Sequence, residues 1–316
     1  PFFMRSRREE VMAVNDIAHK QMVQEALKAR FGSHKRLLCK TNIQYPLQAE
    51  REFQRVTNGY MRLLNETLKD HLPEIRDAAR MERESNRRHD DISDLTDKLA
   101  VVFNTMAVEL ERKTSKFGLY DKVQAMAHLT RKLSIKEWKR AVKATLGIDL
   151  LDDYYSGELF RELMKKWVED NVGLIKTIPQ ESLSRMREIV MEGYRNGETT
   201  TSIVKKIQRA YSVDRRHAQL LARDQIAKLN SNIAQQQQRD AGVEEYIWSD
   251  SGDGRVRPSH KKLNGKRFRW DDPPVVDEKT GRRCHPGEDY ECRCVALAVF
   301  DFDTIDLPVS GRGDAP

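Results

Sequence analysis

The 316-residue chain is 39% hydrophobic and 33% charged, and its 56 Lys and Arg against 49 Asp and Glu give a formal charge of +7. The apolar share lies below the ~45–50% of an average globular domain and the charged share above its ~25%, which favours long solvated helices with narrow apolar stripes over one large core. No run of 18 apolar residues occurs, so an apolar membrane-spanning helix is not expected.

The opening Pro1-Phe2-Phe3-Met4-Arg5 shows no signal-peptide pattern and no initiator Met, which reads as the start of a trimmed or processed product. Residues 8–39 read as a helix or helical pair. Val11, Val14, Ala18, Met22, Ala26 and Ala29 recur at three- and four-residue spacings, with a break at Phe31-Gly32-Ser33. Residues 47–71 repeat the pattern through Phe53, Val56, Tyr60, Leu63, Leu64 and Leu68, and Pro73 is placed in the first turn of the next helix, over 73–117. Within it, the polar run Arg80–Asp91 reads as a solvated helix or a hinge before Leu95, Leu99, Val102, Phe103, Met106 and Leu110 restore an apolar stripe.

Helical spacing continues over 122–144, 159–168, 180–196 and 200–210, punctuated by Gly147, Gly157, Pro179 and Gly197. Ser212-Val213-Asp214 opens a last long helix over 215–240. After Gly242 the composition changes. Glu244–Trp248 is β-prone, Ser251–Gly254 is turn-forming, and Val295–Phe300 reads as a buried strand. The predicted fold is mainly α with a small C-terminal α+β module: long N-terminal helices followed by a loop-rich, short-stranded domain. Its divisions are an extended helical region over 1–175, a helical part over 176–241, the module over 242–306 and a disordered tail over 307–316.

The module holds most of the chemistry. Three of the four cysteines fall within residues 284–294, which is not the spread of a disulfide framework and fits a reducing cytoplasm. Thiolates and imidazoles are zinc donors, and a small module with few apolar residues needs a staple. The candidate metal quartet is His260, Cys284, Cys292 and Cys294, with His285 as alternate. In an extended strand Cys292 and Cys294 share a face, with Arg293 turned away. The competing reading is a set of small buried cysteines. Arg255 and Arg257 flank Val256 on a common face suited to carboxylate or phosphate, whereas Asp253 could instead lock one of them. Gly265 is placed in a turn making a hairpin of Leu263 and Phe268, while Trp248 and Phe268 read as core. Lys205, Lys206, Arg215 and Arg216 make basic helix faces that could touch phosphates or an acidic partner, or be simply solvated.

These residues carry a resemblance. Trp248-Ser249, Asp253-Gly254-Arg255-Val256-Arg257-Pro258-Ser259-His260 and Leu263-Asn264-Gly265-Lys266-Arg267-Phe268 follow the order of motifs in the Mu F-like phage head morphogenesis (minor head protein) family. That family closes on His-Pro-x-Cys-Arg-Cys. Here His285-Pro286 and Cys292-Arg293-Cys294 are separated by four extra residues, and Arg223-Asp224-Gln225 stands where the family often has Arg-Thr-Glu. The resemblance covers about residues 180–300. It implies a minor head protein of a tailed double-stranded DNA phage, acting in head assembly and DNA packaging near the portal. The implied partners are portal and capsid or scaffold proteins, with no membrane. The implied location is the virion, after assembly in the host cytoplasm. The alternative is a protein that binds double-stranded DNA without sequence preference and travels with the genome. No GxSxG, HExxH or P-loop motif occurs, so an enzyme is not expected.

Overall fold

A computed structural model describes residues 7–32, 35–85, 92–151 and 158–307. The tail from Pro308 and the Pro1–Ser6 start, on which two of the expectations rest, lie outside the described residues. In chain order the elements are α1 (Arg7–Phe31), β1 (Arg36–Leu38), α2 (Leu47–Ser85), α3 (Ile92–Ser115), α4 (Leu119–Leu146), α5 (Glu158–Arg195), α6 (Thr200–Asp240), β2 (Glu245–Ser249), α7 (Pro258–Leu263), β3 (Arg267–Arg269), β4 (Val275–Asp277), β5 (Arg282–Arg283) and β6 (Val295–Asp301). The chain is thus mainly helical with a small antiparallel C-terminal module. Among the described residues no helix is long and apolar enough to cross a membrane.

Contacts divide the chain into two units. The first comprises Pro1–Leu47, Leu129–Leu163 and Ile226–Pro316. Its sheet runs β1-β6-β2-β3, with every pairing antiparallel. β6 lies between two neighbours and is buried along most of its length, which accounts for its unbroken apolar run. β1 was not expected: residues 36–39 were read as helix, but Arg36, Leu37 and Leu38 pair with Asp301, Phe300 and Val299. The Arg36 side chain then bridges Asp301 at 2.7 Å and Glu245 at 3.2 Å. Three residues are too few to show alternation, so the partner strand decides the conformation. Trp138 of α4 packs on Phe300, and Phe31 of α1 on Phe302, with ring centroids 5.8 and 5.7 Å apart.

The end of α6 anchors this sheet. Its glutamine run is partly internal: Gln238, 1% exposed, donates to the Ala296 carbonyl at 3.1 Å and accepts from Trp270 Nε1 at 3.2 Å. The helix closes by the Gly242 amide bonding Arg239 and the Val243 amide bonding Gln238. Gly242 has φ +69°, the left-handed conformation this cap requires, and its α-carbon lies against the Thr304 carbonyl, where a side chain would collide.

The second unit comprises Gln48–His128 and Met164–Gln225. Its core takes Met61, Leu64, Leu68 and Ile75 from α2, Leu99, Phe103, Met106 and Leu110 from α3, Met186 and Val190 from α5, and Ile203 and Ile207 from α6, all at helical spacing. Two predicted boundaries do not occur. Pro73 lies inside α2 and Pro179 inside α5, rather than at helix starts. Each proline forgoes one hydrogen bond, but Leu68 and Ile75 around the first and Ile175 and Ile178 beside the second are buried, and that packing outweighs the loss. Likewise Ser212-Val213-Asp214 starts no new helix, because α6 runs through it. Asp214 is buried and accepts from Ser182 Oγ at 2.5 Å and from Arg185, tying α6 to α5. Of the polar run Arg80–Asp91, α2 covers the part to Ser85 and the rest lies outside the described residues.

Candidate metal centre in the C-terminal module

Three segments converge on one buried point. α7 begins at Pro258, whose missing amide suits a first helical turn, and presents His260 inward, 2% exposed. The Cys292-Arg293-Cys294 segment precedes β6 rather than lying in it, yet both sulfurs turn the same way. Cys292 Sγ is 3.5 Å and Cys294 Sγ 3.7 Å from His260 Nδ1. The three ligand atoms lie within 4.8 Å of one another. Behind them stands a wall of Tyr246, Trp248, Trp270, Val276 and Ala296.

The other face of His260 is equally organised. Nε2 lies 3.0 Å from Asp289 Oδ2, on a carboxylate with 1% side-chain exposure. Arg282 Nη2 approaches Asp289 Oδ1 at 2.9 Å, Arg257 Nη1 approaches Oδ2 at 3.4 Å, and the Tyr290 amide donates to Oδ1 at 2.9 Å. Burial works against the charge on Asp289, but these donors hold its pKa down to about 2. Burial also opposes a charged His260, yet Asp289 and Cys292 push it up to about 9. The Cys294 thiol donates toward Cys292 and, with His260, brings that thiol down to about 5 against burial, while Cys294 is raised by holding the shared proton. Each of the two, Cys292 and His260, thus favours the charged form of the other.

A thiolate, an imidazole and a carboxylate in line also describe a nucleophile with its base and orienting acid. Cys292 and His260 are 3% and 2% exposed, so a substrate would have no route to the sulfur. The donor set suits a metal ion instead. Two thiol sulfurs and an imidazole nitrogen are soft and borderline donors. The remaining imidazole nitrogen is held by a carboxylate, the usual outer partner of a ligating histidine. Trp248 Nε1 is a buried donor close to Cys294, where its influence is to favour the thiolate.

The structure gathers His260, Cys292 and Cys294 and does not gather Cys284 or His285 with them. Cys284 packs against the same cluster, its pKa raised by burial. His285, its pKa lowered by burial, accepts from the Tyr246 hydroxyl at Nδ1 over 2.9 Å. Next to it, the Pro286 carbonyl accepts from Ser231 Oγ of α6 at 2.7 Å. Trp248 and Phe268 are in the packed cluster, as expected of core. Gly265 takes a left-handed turn, φ +76°, but it joins α7 to β3, so Leu263 ends a helix and the hairpin partner of Phe268 is Tyr246. Arg255 is exposed and lies 3.7 Å from Asp253, whereas Arg257 leans on Asp289, so the two arginines do not act as a pair. Arg293 points back to Asp253 at 3.7 Å and over the Tyr45 ring. In the second unit Lys205, Lys206, Arg215 and Arg216 are exposed, with Lys206 paired to Glu198 and Arg215 to Asn58 at 3.1 Å.

Asp289 and Arg282 were not singled out from the sequence. The signal was present in the wrong form: Asp289 belongs to the residues that separate His285-Pro286 from Cys292-Arg293-Cys294. That longer loop supplies the carboxylate.

Residues 184–297 match the family model described as Phage Mu protein F like protein. The matched stretch runs from within α5 into β6. The chain is also 31% identical over 160 residues to an uncharacterized protein of Haemophilus influenzae. That alignment covers 51% of this chain and only 34% of the relative, so the chain spans about a third of the protein it matches. No solved structure matches it.

Proposed function

We propose that the chain is a minor head protein of a tailed double-stranded DNA phage, acting in head assembly and DNA packaging at or near the portal. The observation that carries this is the Mu F-like match over residues 184–297, which takes in the end of α5, all of α6 and the module into the start of β6. On this reading the protein is structural, its partners are portal and capsid or scaffold proteins, and it resides in the virion. The test is to purify heads from the phage or prophage that encodes the chain and to assay them by quantitative mass spectrometry, with and without the gene. Presence in few copies, and loss of DNA-filled heads without it, supports the proposal. Absence from purified heads together with normal yield of filled particles refutes it.

Within that role we assign zinc to His260 Nδ1, Cys292 and Cys294, three protein ligands with a water in the fourth position, as a cross-link for a module whose strands are two to seven residues long. Bound zinc would supply a fixed charge that holds both cysteines as thiolates. Asp289 keeps the imidazole proton on Nε2, and Arg257 and Arg282 keep Asp289 ionised. Native mass spectrometry of the full chain should find one zinc per chain, released when Cys292 and Cys294 are alkylated. Metal-free protein with two freely reactive buried thiols overturns the assignment and leaves the head-protein reading intact.

A second reading rests on exposed cations in the second unit. Arg62, Lys69 and Arg215 line a cleft of about 290 Å³ with Asn58, Asn65, Glu66 and Tyr211. Non-specific duplex binding through such groups would weaken steeply with salt. Binding unchanged between low and high salt, or none at low salt, excludes it.

A further inference from the structure

α3 has two faces of different character. Leu99, Phe103, Met106 and Leu110 face the core of the second unit. On the outer face Val101 and Val108 are 65% and 69% exposed, the most exposed large apolar side chains among the described residues. Seven residues apart, they stand two turns from each other on one side of the helix. Asn104 and Thr105 lie between them, also exposed, and complete the i, i+3, i+4, i+7 diamond at which two helices cross. The Thr105 hydroxyl donates to the Val101 carbonyl at 3.0 Å, so its proton is already bonded within the helix. No charged residue occurs from Leu99 to Val108.

The charges sit at the two ends of the diamond. Asp97 and Lys98 flank it on the N-terminal side, Glu111 and Arg112 on the C-terminal side, and all four are exposed. The order is acid-base, then acid-base. Rotating the face by a two-fold axis between residues 104 and 105 brings 101 onto 108, 98 onto 111 and 97 onto 112. Valine then meets valine, Lys98 meets Glu111, and Asp97 meets Arg112, each combination occurring twice. A parallel, in-register alignment would oppose every charge to its like. We infer that this face is an isologous interface, by which α3 of one copy packs antiparallel on α3 of a second copy of the chain.

The argument for a second copy is the self-complementarity. A foreign partner would need an apolar patch opposite the valines, but nothing in such a contact requires the flanking charges to be each other's mirror. One helix face is smaller than the roughly 800 Å² per partner of a standard interface. The association is therefore weak, with a Kd of roughly 10–100 μM, and is favoured where copies are held close together.

Sedimentation of the full chain up to about 0.1 mM, at or above a Kd of that size so that half or more of the chains pair, tests the inference. A dimer that grows with concentration is expected. Val108→Glu should abolish it while leaving the far-UV circular dichroism and thermal midpoint unchanged. Lys98→Glu should weaken it about tenfold, since two attractive pairs become repulsive ones. The double change Lys98→Glu with Glu111→Lys should restore it, because the exchanged charges still meet across the axis. A monomer throughout the range overturns the inference. So does a dimer insensitive to Val108→Glu, or a double variant no better than Lys98→Glu alone. Any of these would reassign the patch to a different partner.

Discussion

Replacing Asp289 by Asn tests the site without touching a proposed ligand. The carboxylate is all but fully buried and serves His260, Arg257, Arg282 and the Tyr290 amide together. Breaking a buried ion pair by removing one member costs about 3–5 kcal/mol. Two discounts apply: Asn keeps the shape and one acceptor, and both arginines are roughly 40% exposed, so water can take them over. The expected loss is therefore about 2–4 kcal/mol, or roughly 5–12 °C in thermal midpoint for a unit of this size. The same change loosens the imidazole and should weaken zinc about 10–100-fold, read by competition against a chromophoric chelator. Lys262→Ala, which removes an exposed pair with Glu278, is the control and should stay within about 0.5 kcal/mol. If Asp289→Asn matches that control in both stability and zinc affinity, the carboxylate does not organise the site and the reasoning fails.

Gly242→Ala places a methyl group on the Thr304 carbonyl in a left-handed cap, and should cost more than about 2 kcal/mol in urea unfolding; a neutral result would mean that the chain end moves aside. Asp214→Ala leaves Ser182 without its acceptor and Arg185 without its partner, and should lower stability by about 1–3 kcal/mol, with Asn recovering part of it. For His71 burial opposes the charge, but Glu74 at 3.0 Å and Glu109 at 2.7 Å raise its pKa above the usual value. A raised pKa in the folded state means that the charged imidazole stabilises fully below its ordinary value near 6.5 and stops doing so as pH rises past the folded value. Stability of the wild type should fall across that interval relative to His71→Gln; a pH-independent difference between the two would contradict it.

Much of this architecture is legible in the residue order, and the failures have causes that can be named. β6 is visible because it is covered on both faces, so every position along Val295–Phe300 can be apolar. β1 is invisible because its conformation comes from β6 and not from itself. Pro73 and Pro179 look like boundaries because a local rule was applied where tertiary packing was stronger. In the site, His260, Cys292 and Cys294 can be picked out by chemistry alone, since few other roles gather thiols and imidazole in a short stretch. Cys284 shares that chemistry but not the geometry, and spacing along a loop-rich chain carries no information about which sulfur reaches the others. Asp289 has the opposite fault: one aspartate in an acidic loop looks solvated until the loop is seen folded over His260.

The pairing of Arg36 with Asp301 has a temporal side. A ribosome releases the first partner long before the second exists, and at about 5–20 residues per second the wait is roughly 13–50 s. For that interval α1 and β1 have no sheet to join, and a message truncated before Val295 would yield a chain whose first unit can never close. Helices α2 and α3, by contrast, meet as soon as both have emerged. Nascent chains of this protein should therefore pass through a stage in which the second unit has begun to order while the N-terminal helix is still a client for chaperones, and completion of the final strand is the event that withdraws it.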